Sequence, residues 1–119
     1  MDNKNNLHIS CDYRNIPINN INPSDQVKFC DLRGSDFSKA DLSGVEFLGC
    51  RLNGVSFKDA NLTNAEFIGC FVADNYEPID IEGSIFQNTE FIDCHISNLH
   101  KINNLLPECL WESKLADTA

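Results

Sequence analysis

From Leu32 onward every fifth residue is a large apolar side chain: Leu32, Phe37, Leu42, Phe47, Leu52, Phe57, Leu62, Phe67 and Val72. Two positions before each of them lies a small or thiol residue, in the series Cys30, Ser35, Ala40, Val45, Cys50, Val55, Ala60, Ala65 and Cys70. The position between is mostly Asp, Glu or Asn. An α-helix returns to the same side about every 3.6 residues and a strand every 2, so neither keeps a five-residue series on one face. Some other regular path must place the apolar series inside and the polar positions outside.

Written as blocks, the chain reads CDLRG, SDFSK, ADLSG, VEFLG, CRLNG, VSFKD, ANLTN, AEFIG. These blocks resemble the pentapeptide-repeat family, whose pattern is a small residue, Asp or Asn, Leu or Phe, a polar residue, and often Gly. The resemblance implies an all-β fold, a right-handed quadrilateral β-helix with four blocks and therefore twenty residues per coil.

A second period tests that expectation. Val45-Glu46-Phe47-Leu48-Gly49-Cys50 returns twenty residues later as Ala65-Glu66-Phe67-Ile68-Gly69-Cys70, and once more as Thr89-Glu90-Phe91-Ile92-Asp93-Cys94. The last step is 24 residues, which places a four-residue loop at 75–78, Asn75 to Pro78. Beyond it the centres become Ile81, Phe86, Phe91 and Ile96. Upstream, Cys11 precedes Cys30 by 19 residues, with Tyr13 and Ile18 as centres of a degenerate first coil. The expected organisation is an N-terminal cap and degenerate coil over 1–26, a β-helix of about four coils over 27–98, and a C-terminal segment over 99–119. Stacking one coil on the next buries side chains that no coil buries alone.

The C-terminal pattern differs. Leu105 to Leu115 reads as a short helix, with Pro107 in its first turn. Leu106, Leu110, Trp111 and Leu115 share one face of it. Such a helix would cap the open end of the β-helix, which otherwise exposes backbone and core, or pair two copies into a homodimer.

Composition narrows the function. The 119 residues make one domain with a formal charge of −9. That balance argues against direct nucleic-acid binding, which needs Lys and Arg for phosphates, and permits a basic protein partner. Met1 to Asn6 lead into no apolar run, and no stretch approaches membrane-spanning length, so the expected location is cytoplasmic with no membrane contact. Of six cysteines, Cys11, Cys30, Cys50, Cys70 and Cys94 fall in one expected inward column and read as buried free thiols. A metal set of Cys94, His95, His100 and Cys109 is disfavoured, because His95 faces out where Cys94 faces in and no paired CxxC supports it. His8, His95 and His100 are isolated and read as solvated side chains, and no nucleophile elbow or phosphate loop is present. The sequence therefore points away from an enzyme, a metal site or a cofactor.

Recognition is then sought on the outside. Glu46, Glu66 and Glu90 precede inward Phe residues while Leu48, Ile68 and Ile92 follow them, giving an acidic column beside an aliphatic one; Phe71 and Ile85 also occupy outward positions. Three stacked aliphatics make a candidate contact patch. Alternatively, they simply suit a strand.

Phe29-Cys30-Asp31, followed by Ala40-Asp41-Leu42-Ser43-Gly44-Val45-Glu46-Phe47-Leu48-Gly49-Cys50, is similar to the N-terminal coils of the quinolone-resistance branch of the family. That resemblance implies a dimeric rod that imitates DNA and binds DNA gyrase or another type II topoisomerase. Asp31, Asp36, Asp41, Glu46, Glu66, Asp80 and Glu90 would then present carboxylates to a basic groove, with Leu48, Ile68 and Ile92 adding dry contact. The alternative is a scaffold or effector module for an unrelated protein.

Overall fold

The computed structural model describes residues 6–73, 79–96 and 114–117. The chain winds into an all-β solenoid of about four turns, with no helix among the described residues. One side carries the longest ladder: β1 (Leu7–Ile9), β2 (Gln26–Lys28), β3 (Glu46–Leu48), β4 (Glu66–Ile68) and the first part of β6 (Glu90–Ile96), all parallel and in register. The second side links Asp12, Asp31, Arg51 and Phe71 by single bridges, and its last step pairs β5 (Phe71–Ala73) with β6. The third links Pro17, Asp36, Ser56 and Asp80, and the fourth Asp41, Asn61 and Ile85.

Local chemistry explains the five-residue block. Each side is too short for a long strand, so its residues bond up and down the stack: Asp31 N donates to Cys11 O at 2.9 Å and Leu32 N to Arg51 O at 3.0 Å. The corner then turns within four residues, as where Ser35 N donates to Leu32 O and Ala40 N to Phe37 O. Its third residue is left-handed, with φ of 70° at Gly34 and 65° at Lys39. The Asp or Asn before the centre tightens the same turn. Asp36 Oδ1 accepts from Ser38 N at 2.8 Å, Asp41 Oδ1 from Ser43 N at 3.1 Å, Asn61 Oδ1 from Thr63 N at 3.0 Å and Asp80 Oδ1 from Glu82 N at 3.1 Å.

The interior is the expected series. Leu32, Phe37, Leu42, Phe47, Leu52, Phe57, Leu62, Phe67 and Phe91 are at most 1% exposed, and Phe86 packs partly buried against them. Ile96 lies in β6, opposite Ala73 of β5. Phe67 stacks between Phe47, at 4.7 Å, and Phe91, at 4.5 Å, while Phe57 meets it edge-on at 5.9 Å. Cys30, Cys50, Cys70 and Cys94 form a buried ladder of free thiols, with Cys11 half-buried below. Cys50, Cys70 and Cys94 donate to Val27, Phe47 and Phe67 carbonyls at 3.3, 3.2 and 3.1 Å. Burial pushes the Cys30 thiol up to about 11, and the neighbouring Cys50 and Cys94 with burial push Cys70 up further.

Two features differ from the sequence reading. β1 begins at Leu7, within the 1–26 expected for the cap and first coil, but His8, read as solvated, pairs with Val27 in β2 and so occupies the inward column. Pairing steps of 19 residues on that side are matched by Asp12 with Asp31 and Pro17 with Asp36. The C-terminal segment is also different where it is described. Lys114–Asp117 form β7, which pairs in parallel with β6 and places Leu115 beside Cys94 in a strand rather than a helix. The open edge of β6 offers unpaired backbone groups, and satisfying these outweighs the helical pattern there. Leu106, Leu110 and Trp111 lie outside the described residues, as do 75–78. The four-residue insertion is fixed between Phe71 and Asp80, since Arg51 pairs with Phe71 at 20 residues and Ser56 with Asp80 at 24.

Candidate functional site

The solenoid distributes the acidic residues over all four sides. Asp31 sits on the second, Asp36 and Asp80 on the third, Asp41 on the fourth, and Glu46, Glu66 and Glu90 on the first. No single flat surface meets them all. They also differ in what they already hold. Asp31 is gripped by Arg33 through two bonds, Nε at 2.9 Å and Nη2 at 2.7 Å, with Arg14 at 3.7 Å. Arg33 accordingly holds the Asp31 carboxyl below the usual carboxylate range, and Arg14 does the same to Asp12, down to about 2. Asp36, Asp41 and Asp80 each bind a turn N–H.

The three glutamates stand apart because their side is a strand ladder without that turn bond. Glu46 pairs with Glu66 and Glu66 with Glu90, one carboxylate per coil, and among the described side chains no cation lies within ion-pair distance of them. Two residues on, Leu48, Ile68 and Ile92 form the parallel aliphatic column, each half-buried. Lys28 holds the position below Leu48 and Lys114 the position beyond Ile92, so the aliphatic run is three coils long.

Aromatics line the corner beside this face. Phe29, 60% exposed, takes φ 56°, unusual for so bulky a residue, and its ring lies over Gly49. A Cβ on Gly49 would stand 2.7 Å from that ring, and the residue's own φ is +64°, so glycine is the side chain this corner accommodates. Around the corner Phe71 stacks on His95 at 5.2 Å, and Arg51 lies over the Phe71 ring at 6.0 Å. Ile85, also exposed, lies on the fourth side, away from this group. Cys94 is buried inside while His95 stacks outside on Phe71; His100 and Cys109 lie outside the described residues.

A second polar group was missed by sequence reasoning. His8, read as a solvated surface histidine, is 10% exposed in its side chain and bonds Asp25, itself 2% exposed, at 3.2 Å. Its Nδ1 lies 3.1 Å from the Tyr13 hydroxyl, which accepts from Asn20 Nδ2 at 3.3 Å. With the proton assigned to Nε2, donors run one way along the chain from Asn20 through Tyr13 and His8 to Asp25. Asp25 also accepts from Asn6 N at 2.9 Å and Asn22 N at 2.8 Å. The group plugs the N-terminal end of the core below Val27. The 19-residue spacing of His8 to Val27, equal to that of Cys11 to Cys30, was the available signal.

Burial alone would raise the Asp25 carboxyl, but the backbone N–H groups of Asn22 and Asn6, with His8, outweigh it and hold the group low. A carboxyl depressed on folding contributes stability that is full above its unfolded value, about pH 4, and is lost as pH falls through the folded value. Asp31 and Asp36 are depressed likewise, the first by Arg33 and the second by Ser38. Thermal unfolding followed by circular dichroism should therefore show a Tm that falls steeply below about pH 4. Asp25→Asn should lower the Tm at neutral pH and make the acid decline shallower.

Comparison with known proteins agrees with this architecture. A family model described as a pentapeptide repeat region matches residues 26–100. Among solved structures, two trypsin-treated variants of QnrB1, a plasmid-mediated fluoroquinolone resistance protein, superpose with TM-scores of 0.59 and 0.54 at 22% and 23% identity. Each alignment covers 76% of this chain, but only 57% and 56% of the QnrB1 chains, so this chain spans little more than half their length. At that identity the likeness concerns the fold. No curated protein matches the sequence. With the family match spanning most of the chain and the coil geometry in agreement, the chain belongs to the pentapeptide-repeat family.

Proposed function

We propose that this chain is a non-catalytic, cytoplasmic protein-binding module, and most specifically a DNA-mimic-like binder of DNA gyrase or another type II topoisomerase. The observation that carries the reading is the first side of the solenoid, where Glu46, Glu66 and Glu90 stand in register, with no cation in ion-pair reach among the described side chains, beside Leu48, Ile68 and Ile92. The shared fold with QnrB1, a fluoroquinolone resistance protein, supports the choice of partner. So does the formal charge of −9, which suits a surface that otherwise receives DNA.

The aliphatic column favours a second reading, a scaffold or effector module that holds an unrelated protein by dry contact. Salt separates the two. As ionic strength rises from about 0.1 M toward about 1 M, the Debye length shrinks from roughly 10 Å to roughly 3 Å, and charge-driven contact weakens while apolar contact persists. Titration of purified gyrase with the protein across that range should show binding that falls steeply with salt. Absence of binding at the low-salt end refutes the topoisomerase reading, and binding indifferent to salt refutes the acidic one.

A further inference from the structure

We infer that the first side docks a cationic amphipathic α-helix lying along the solenoid axis, with one Lys or Arg per turn on the glutamate column and one aliphatic per turn on the Leu48, Ile68, Ile92 column. The inference rests on the reading of this side as a protein-binding surface and goes beyond it by assigning the shape of the partner element.

Three observations carry it. The first is charge: one carboxylate per coil at Glu46, Glu66 and Glu90, without cations among the described side chains within ion-pair distance. The second is the adjoining aliphatic column, offset by two residues along each strand, which asks for an apolar stripe next to the basic one. The third is the repeat distance. Adjacent coils of a parallel sheet lie about 4.8 Å apart. A helix laid along the axis presents a new turn every ~5.4 Å, so over the two intervals from Glu46 to Glu90 it drifts by only about 1 Å. An extended strand laid the same way presents same-side residues every ~6.6 Å and drifts by nearly 4 Å, enough to break the second and third pairs. A strand running across the coils at the glutamates gains no ladder bonds, because β3, β4 and β6 are each already paired on both sides.

The ends of the site are set by charge as well. Gln26 replaces Glu in the acidic column below Glu46, and Lys28 follows it in the aliphatic column. Lys114 takes the next aliphatic-column position beyond Ile92. Among the described residues the column therefore spans about three turns, and a cation placed below Glu46 meets Gln26 instead of a carboxylate.

The test is calorimetric titration of the full chain with two end-capped peptides of identical Lys, Leu and Ala composition. One places Lys and Leu on adjacent stripes once per helical turn over three turns. The other alternates them at strand spacing. The helical peptide should bind about tenfold tighter than the strand-spaced one, a difference of one factor of ten in Kd. Both the Glu46→Gln, Glu66→Gln, Glu90→Gln protein and the Leu48→Ser, Ile68→Ser, Ile92→Ser protein should bind it about tenfold more weakly than the unmodified chain. Circular dichroism checks the fold of each, and Glu66→Gln and Ile68→Ser alone serve if a triple variant unfolds. Equal binding of both peptides, unchanged affinity in the variants, or no binding of the helical peptide overturns the inference. Gyrase titrated in parallel separates the two proposals: helix binding without gyrase binding refutes the topoisomerase partner alone, and gyrase binding without helix binding refutes the docked helix alone.

Discussion

Phe67→Ala is expected to cost about 3 to 5 kcal/mol, at the upper end of single substitutions and a large share of the ~5–15 kcal/mol that holds a domain of this size. The ring lies in the middle of a three-ring stack, 4.7 Å from Phe47 and 4.5 Å from Phe91 with interplanar angles of 4° and 3°. It also receives the edge of Phe57 from the opposite side of the coil. Truncation therefore removes contacts on three sides at once. The cavity cannot collapse, because each neighbouring coil is held in place by ladder bonds such as Glu66 N to Val45 O and Glu90 N to Ala65 O. Urea unfolding measures the loss, and Phe67→Leu, which refills most of the volume, should recover more than half of it. A loss below about 1 kcal/mol for the alanine variant would mean that this column is not the core.

Much of this arrangement was legible in the chain because a five-residue series is incompatible with helix and strand alike, and because the twenty-residue echo of Glu46-Phe47-Leu48 in Glu66-Phe67-Ile68 and Glu90-Phe91-Ile92 fixes both the inward column and its two outward neighbours. The same echo required an insertion of four residues, which the pairings place between Phe71 and Asp80. What stayed hidden has three separate physical causes. His8 departs from the apolar consensus, so that only its 19-residue spacing to Val27 marks its place, and its buried partner Asp25, seventeen residues away, follows from no local pattern. Asp31, Asp36, Asp41 and Asp80 look like the three glutamates in composition, yet the shorter acid reaches the N–H two residues on and is occupied by the turn or by an arginine. The strand at Lys114–Asp117 has little local β-propensity; it forms against the exposed edge of β6, a long-range condition that no local pattern encodes.

The contrast between carboxylates held by a turn or an arginine and those with no cation in reach among the described side chains leads to the largest functional effect expected. Exposed ion pairs contribute about 0.2 to 1 kcal/mol each, and reversing a charge replaces attraction by a comparable repulsion. Three reversals in one column, Glu46→Lys, Glu66→Lys and Glu90→Lys, should therefore weaken a basic partner by on the order of 3 kcal/mol, roughly a hundredfold in Kd. The substitutions sit on outward positions of β3, β4 and β6 and leave the stacked interior untouched, so the fold should persist. They also relieve like-charge repulsion along the present column, at the cost of installing the same repulsion between lysines.

The measurement that tests the account most directly compares this protein with a matched one carrying Asp36→Lys, Asp41→Lys and Asp80→Lys, the same change in net charge on the third and fourth sides. Both are titrated against purified gyrase at the same low ionic strength, with circular dichroism confirming the fold. The glutamate reversals should weaken binding roughly a hundredfold while the aspartate reversals change it by less than about threefold, well under the ~1.4 kcal/mol of a tenfold step. Equal losses in the two proteins would show that only net charge matters, and unchanged binding after the glutamate reversals would remove the first side from recognition altogether.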